Sequence, residues 1–444
     1  MIQQIDLNAF AEEKARLCEK TDRIPPMLFQ EYGVNRGLRD AQGAGVLTGL
    51  TRISKVNGFK TVNGERLPCE GELWYRGYPI HQLVQESGTS SYGFEKAAYL
   101  LLFGQMPAES EMEAFLQILS GARDLPEGFT RDVIMEAPSG DIMNSITRSI
   151  LTLASYDPQA TKSSVANSLR QCIQLTAQFP MLAVYSYHAY NHYQNHDSMY
   201  IHRPDPNRST AENFLAMLRP DQSYSELEAK VLDICLMLHM EHGGGNNSTF
   251  TTRVVTSAGS DTYSAIAAAM SSLKGPKHGG ANLKVMGMMD DIKAHVRDWN
   301  DQDEVRAYLQ RLISGEGFDN SGLIYGMGHA IYTLSDPREK ILKDFVKRLA
   351  AEKGNEELLA LYENVEAAAP EVIAAGSSRT RAVSPNVDFY SGFVYEMLGI
   401  PRELFTPLFA TARIVGWSAH RIEELITSSK IIRPAYMSVM EERQ

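Results

Sequence analysis

The sequence predicts a mostly α fold with one short β-hairpin region, and two observations carry that prediction. Alternation of strand-forming residues is confined to about residues 50–80, where Val, Thr, Leu and Tyr alternate with Gly and Asn through Val56-Asn57-Gly58 and Val62-Asn63-Gly64. Beyond it, apolar residues recur at helical spacing almost to the C-terminus with no fixed-period repeat, which indicates a bundle-like packing rather than a solenoid.

Taken in order, a helix is expected around residues 7–19, followed by a break at Pro25-Pro26. Residues 94–103 read as a strongly apolar helix stopped by Gly104 and Pro107, and residues 145–155 repeat apolar positions at helical spacing. Residues 163–190 suffice for a buried helix with Pro180 as a kink or break. Residues 192–207, rich in His, Asn, Asp and Pro, read as a surface loop. Residues 225–240 carry Leu227, Val231, Ile234 and Leu238 on one face and stop at His242-Gly243-Gly244-Gly245. Helical runs at 265–273 and 283–296 flank a glycine-rich break, and 303–313 is amphipathic. Asp336 is expected to cap a helix that has Pro337 at its first position and ends at Lys353-Gly354. Another helix follows at 355–373, then a turn-like stretch at 376–385 and two final helices at about 390–398 and 402–427.

With 444 residues the chain can bury a large core, and length alone suggests two to three domains. A net charge of −11 argues against nucleic acid and against a polybasic membrane footprint, so an anionic ligand would need local arginines. Cys18, Cys69, Cys172 and Cys235 are far apart with no CxxC, so neither a disulfide framework nor a zinc ribbon is expected. Asp6, Glu12, Glu13 and Glu19 with no apolar core segment speak against a secretory or mitochondrial leader, and a cytoplasmic location is expected. No apolar run reaches about 18 residues, the length a membrane-spanning helix needs.

Five places could carry chemistry. His278 is wedged between Gly275-Pro276 and Gly279-Gly280, next to the start of the following helix, where the helix field opposes positive charge; a neutral, hydrogen-bond-donating imidazole is expected. His329 is flanked by Gly326 and Gly328, and Arg338 in a first helical turn offers a planar fork to a carboxylate. Asp388 precedes aromatics and a Ser-Gly pair, where a carboxylate could equally cap a helix. Arg413 has apolar neighbours, with Trp417 and His420 at helical spacings, and such an arginine costs free energy unless an anion pairs with it. Arg433-Pro434 reads by itself as a tail. There is no GxxxxGK[ST], GxSxG or HExxH. His239 and His242 lack a nearby third ligand, so no metal is expected.

Together these segments resemble the citrate synthase family, from about Gly49 to Tyr436. The resemblance rests on residues 71–80, 94–104, 211–215, Glu241-His242 with Asn247-Ser248-Thr249-Phe250, 275–282, Gly328-His329 with Asp336-Pro337-Arg338, and 385–392, in the family's order and spacing. Within the family the chain is similar to the citrate and 2-methylcitrate synthases of Gram-positive-type bacteria, without the larger N-terminal β domain of the NADH-regulated form.

The resemblance implies a large helical domain (1–279 with 392–444) and a smaller inserted helical domain (280–391), with the site in the cleft. It implies an acyltransferase of the tricarboxylic acid cycle that condenses acetyl-CoA with oxaloacetate and hydrolyses citryl-CoA, the CoA thioester being a substrate and no cofactor being needed. Asp388 would be the base, His278 the donor to the enol oxygen and His329 the group that polarises the oxaloacetate carbonyl. His242, Arg338 and Arg413 would hold the oxaloacetate carboxylates, and Arg433 would reach in from the second subunit of a homodimer. Met327 and Gly328 would meet CoA. Ala330 and Thr333 stand where relatives often carry basic residues, so Arg379 and Arg381 are assigned as substitutes for the phosphate contacts. Asp141-Ile142-Met143 departs from the frequent His-Pro-Met. Two alternatives are a 2-methylcitrate synthase acting on propionyl-CoA and a non-catalytic binding relative.

Overall fold

The computed structural model describes residues 6–40, 44–376 and 382–440, so Arg379 and Arg381 lie outside the described residues. The chain divides into two compact units, Met1–Leu50 and Thr51–Gln444. In the first, α1 (Leu7–Thr21) is capped by Asp6, whose carboxylate accepts from Asn8 N at 2.9 Å. Helix α2 (Pro26–Glu31) starts at the proline pair that reads as a break, because proline at the first helical position gives up no internal hydrogen bond.

The second unit opens with an antiparallel meander, β1 (Ser54–Val62), β2 (Glu65–Tyr75) and β3 (Tyr78–Pro79). Asn63 and Gly64 make the β1–β2 turn, both with positive φ (53° and 84°), as a tight hairpin requires. Val56-Asn57-Gly58 is not a turn: between the pairs Asn57–Glu72 and Phe59–Pro68, Gly58 alone lies opposite Cys69, Glu70 and Gly71, so Gly58 faces a bulge in β2.

From there the described chain is helical: α3 (Ile80–Glu86), α4 (Gly93–Phe103), α5 (Glu109–Gly121), α6 (Ile142–Leu153), α7 (Val165–Asn195), α8 (Thr210–Leu218), α9 (Glu226–His239), α10 (Asn247–Ser257), α11 (Thr262–Lys274), α12 (Ala281–His295), α13 (Gln302–Ile313), α14 (Pro337–Lys353), α15 (Glu356–Gly376), α16 (Val387–Met397) and α17 (Phe405–Thr427). The mostly α reading holds. Helix α7 runs through Pro180 without a break; residues 175–186 are buried on packed neighbours, and that burial offsets the one lost backbone bond. Helix α10 escapes a propensity reading because Thr and Val dominate it, and packing on α11 and α17 supplies what propensity does not.

Helix α17 is the axis of the unit. It packs on α4, α7, α9, α10 and α11, and from Ala410 to Ile422 every residue on it is buried, including Arg413, Trp417, His420 and Arg421. Helices α12 to α16 pack largely on one another, α13 on α15 and both α12 and α14 on α16, while α14 also meets α9 and β2. The site forms where these two groups of helices face each other.

Candidate active site

The chain between α11 and α12 is a compact turn, with His278 N bonded to Gly275 O (2.9 Å) and Gly279 N to Leu273 O (2.9 Å). This turn presents the His278 ring to Ser248, with Nε2 3.0 Å from Ser248 Oγ. That hydroxyl also accepts the indole N–H of Trp417 at 3.1 Å and is placed to donate to Asn246 Oδ1 at 3.0 Å. A serine hydroxyl has one proton to give. Given to His278 Nε2 rather than to Asn246 Oδ1, it leaves the imidazole N–H at Nδ1. Burial lowers the His278 pKa to about 4, with the Arg413 charge adding to the effect. Burial and the Arg413 charge thus both favour the neutral ring expected from sequence.

His329 and Asp388 are joined by two loops that run side by side. Met327 and Pro385 pair as an isolated antiparallel bridge, Gly328 N donates to Ser384 O (2.8 Å), Asn386 N donates to Gly326 O (2.9 Å), and Asn386 Nδ2 donates to Gly328 O (2.9 Å). Gly326 has φ 82°, and a Cβ there would stand 3.1 Å from Phe389 Cα and 3.0 Å from Val285 Cγ2, so the two loops can approach only at a glycine. Asn386 caps α16 by accepting from Asp388 N at 3.0 Å. The cap role is thus taken by Asn386, and the Asp388 carboxylate is left for other work. Partly buried, it has its pKa pushed up to about 6 by desolvation, opposed by Arg338, raised by Asp336 and opposed by Arg413.

His329 Nδ1 accepts from Ile331 N (3.1 Å) and Tyr332 N (3.3 Å), so its Nδ1 holds a lone pair and the neutral ring carries its proton on Nε2. Burial and Arg338 hold its pKa at about 4. The ring stacks on Tyr332 with centroids 4.8 Å apart and meets His242 edge-on at 5.0 Å. His242 Nε2 is 3.1 Å from Tyr332 Oη, which donates in turn to Glu72 O. His239 diverges: its ring packs 4.7 Å from Phe409, so the two histidines do not converge as a metal pair would.

Two buried guanidiniums complete the cluster. Arg338 is locked by Asp336, Nε to Oδ1 at 3.0 Å and Nη2 to Oδ2 at 2.7 Å, which leaves Nη1 available. Arg413, 1 % exposed, spends Nε on His239 O (2.7 Å) and lies over Phe409, while its buried Nη1 has no partner among the described residues. Burial lowers its pKa to about 10, with Glu241 working the other way, so it stays charged at neutral pH. Glu241 accepts from Ser54 Oγ (2.8 Å), Gly243 N (2.6 Å) and His420 Nε2 (2.9 Å). Burial pushes its pKa up, but His420, Arg413 and these bonds outweigh that and hold it at about 2. The Arg413 charge acts on His278, His242, Arg338 and Asp388, and the His242 ring meets His329, so these groups lie near one another. Two neutral N–H donors, one basic carboxylate and two desolvated guanidiniums suit a small oxo-dicarboxylate beside a carbon acid.

A family model described as citrate synthase, C-terminal domain, matches residues 41–435. The chain belongs to the citrate synthase family. It is 33 % identical over 404 residues to a citrate synthase of Synechocystis, covering 89 % of each chain, and 32 % identical over 367 residues to a 2-methylcitrate synthase of Shewanella oneidensis, covering 82 % of this chain and 87 % of the other. A solved citrate synthase of Thermoplasma acidophilum, in ternary complex with carboxymethyl coenzyme A and oxaloacetate, superimposes with a TM-score of 0.74 at 25 % identity over 90 % of this chain and 96 % of that one. The chain is thus an acyl-transferring enzyme of the citrate synthase fold.

Of the residues singled out from sequence, His242, His278, His329, Arg338, Asp388 and Arg413 come together, and Met327 and Gly328 serve the loop pairing. Arg433 does not join them: it is exposed in the stretch after α17, whose Ile432 N donates to Ser257 Oγ (2.9 Å). Thr333 is buried and Ala330 exposed, neither offering a charge to a phosphate. Asp141 caps α6 through Asn144 N (3.0 Å) and pairs with Lys274 at 2.5 Å, which gives it a structural use. Sequence reasoning gave no role to Tyr332 or Ser248. Ser248 lies inside a motif that carries the resemblance and Tyr332 just past His329, but only the folded contacts set them apart from their neighbours.

Proposed function

We propose that the protein condenses acetyl-CoA with oxaloacetate and hydrolyses the resulting citryl-CoA, giving citrate and CoA with one water consumed. The observation that carries this reading is the buried Arg413, whose Nη1 has no partner among the described residues and whose charge acts on neutral His278, on His242 and on Asp388. Arg338, Arg413 and His242 bind the oxaloacetate carboxylates. His329 Nε2–H bonds the ketone oxygen and draws charge onto it as the new bond forms. Asp388 takes a proton from the thioester methyl while His278 Nδ1–H stabilises the enol oxygen, and the enol carbon attacks the ketone carbon. Because both imidazoles are neutral, neither quenches Asp388 as a cation would. Water then cleaves the thioester.

In this reading residues 280–391 close against 1–279 with 392–444 and assemble acid, base and carbonyl clamp together, excluding water until the carbon–carbon bond exists. Met327, Gly328, Arg379 and Arg381 meet CoA, and a homodimer places Arg433 at the neighbouring site. The ternary complex of the Thermoplasma relative supports the pair of substrates. The location is cytoplasmic. The Shewanella relative favours a second reading, 2-methylcitrate synthesis from propionyl-CoA; one methylene is worth only about 1–3 kcal/mol of discrimination. A thiol-release assay with oxaloacetate and acetyl-, propionyl- or butyryl-CoA decides: the highest kcat/KM on acetyl-CoA supports the first reading, on propionyl-CoA the second, and no CoA release with any of them overturns both. In the same assay Asp388→Asn loses about a hundredfold or more in kcat.

A further inference from the structure

We propose that Asp336 is a positioning residue that couples the carboxylate-binding fork of Arg338 to the backbone presenting Asp388; this deepens the condensation reading and rests on it. Asp336 is fully buried, and its two oxygens take four bonds. Oδ1 accepts from Arg338 N (3.0 Å) and Arg338 Nε (3.0 Å), and Oδ2 accepts from Arg338 Nη2 (2.7 Å) and from Val387 N (3.3 Å). Val387 opens α16 and directly precedes Asp388. One carboxylate therefore starts α14, orients the arginine and holds the helix that carries the base.

A cap alone does not require this arrangement. Capping uses one side-chain oxygen, and neutral residues do it elsewhere in the chain, Ser209 for α8 and Asn386 for α16. A buried carboxylate costs desolvation, and what it supplies beyond a cap is the second oxygen and the charge, both used on Arg338 and Val387. The bidentate pair fixes the guanidinium plane, so a ligand carboxylate meets a fork already oriented through Nη1. The preceding residue is held from the other side, with Gly71 N donating to Ser335 Oγ (3.2 Å) and Ser335 Oγ donating to Glu70. Asp336 is thus anchored against the β2 strand while it bridges to α16.

The test uses the full-length protein and reads kcat, the KM for oxaloacetate, the KM for acyl-CoA and thermal unfolding. Asp336→Asn keeps a cap but loses the charge and the matched pair of acceptors. It raises the oxaloacetate KM at least tenfold and lowers kcat at least tenfold, while the acyl-CoA KM at saturating oxaloacetate stays within threefold. The charged and titratable groups facing Asp388 are Arg338, Asp336, Arg413 and Tyr395, so removing the Asp336 charge also moves the acid limb of the rate profile to lower pH. Val387→Pro addresses the second arm, because proline is tolerated at a first helical position and removes the N–H that Asp336 accepts, with an apolar ring in place of the buried valine side chain. It lowers kcat threefold or more with the oxaloacetate KM within threefold, and it serves where Asp336→Asn fails to fold. Both kinetic constants within threefold of wild type in Asp336→Asn, or an unchanged kcat in Val387→Pro, overturn the coupling and leave Asp336 a structural cap. A wild-type protein that releases no CoA overturns the condensation reading instead.

Discussion

Replacing Arg413 by methionine separates a residue kept for binding from one kept for stability. In the free protein the guanidinium is buried with one hydrogen bond, to His239 O, and an aromatic face. The lowering of its pKa to about 10 corresponds to about 3 kcal/mol against the charged form. Methionine removes that cost and strands the His239 carbonyl, which returns about 1–3 kcal/mol. The folded state of Arg413→Met is therefore expected to match wild type or exceed it by about 1–2 kcal/mol. Binding moves the other way. Losing the charge-assisted bonds from a desolvated guanidinium to a carboxylate costs about 3 kcal/mol, a factor of about a hundred in oxaloacetate affinity. Urea unfolding of the ligand-free protein and the oxaloacetate KM from thiol release measure the two sides. A variant that loses stability by several kcal/mol with an unchanged KM refutes the argument, because Arg413 would then be a packing residue.

Three further outcomes are expected. Activity requires ionised Asp388, so turnover is present above its pKa of about 6 and falls as pH drops through that value, while His278 and His329, both at about 4, stay neutral across the window. An acid limb near pH 6 that persists in the residual activity of Asp388→Asn assigns it to another group. Gly326→Ala forces a left-handed φ on alanine and a Cβ against Phe389, prying apart the loops that carry His329 and Asp388; kcat falls tenfold or more, and wild-type turnover would show the loops need not touch. Arg433→Ala raises the oxaloacetate KM, and mixing it with His278→Ala restores part of the activity if sites are shared between subunits; mixtures no more active than their parts exclude sharing.

The helical class, the hairpin at Asn63-Gly64 and the Asp336-Pro337 helix start were legible in the chain, because periodicity, positive-φ turn residues and capping are local properties. The glycine-flanked histidines and the arginine on an apolar helix were legible for a similar reason: each breaks a local rule without a local benefit. The β2 bulge opposite Gly58, the unbroken course of α7 through Pro180 and the use of Asn386 as the α16 cap were not, since packing partners far away in sequence decide them. Nor could the sequence say why His278 is neutral. Its ring loses its charge to burial and to Arg413, 135 positions on. Sequence determined which side chains were out of place; only the tertiary structure decided that they share one desolvated volume, because hydrogen-bond direction and dielectric exist only once distant segments have closed around each other.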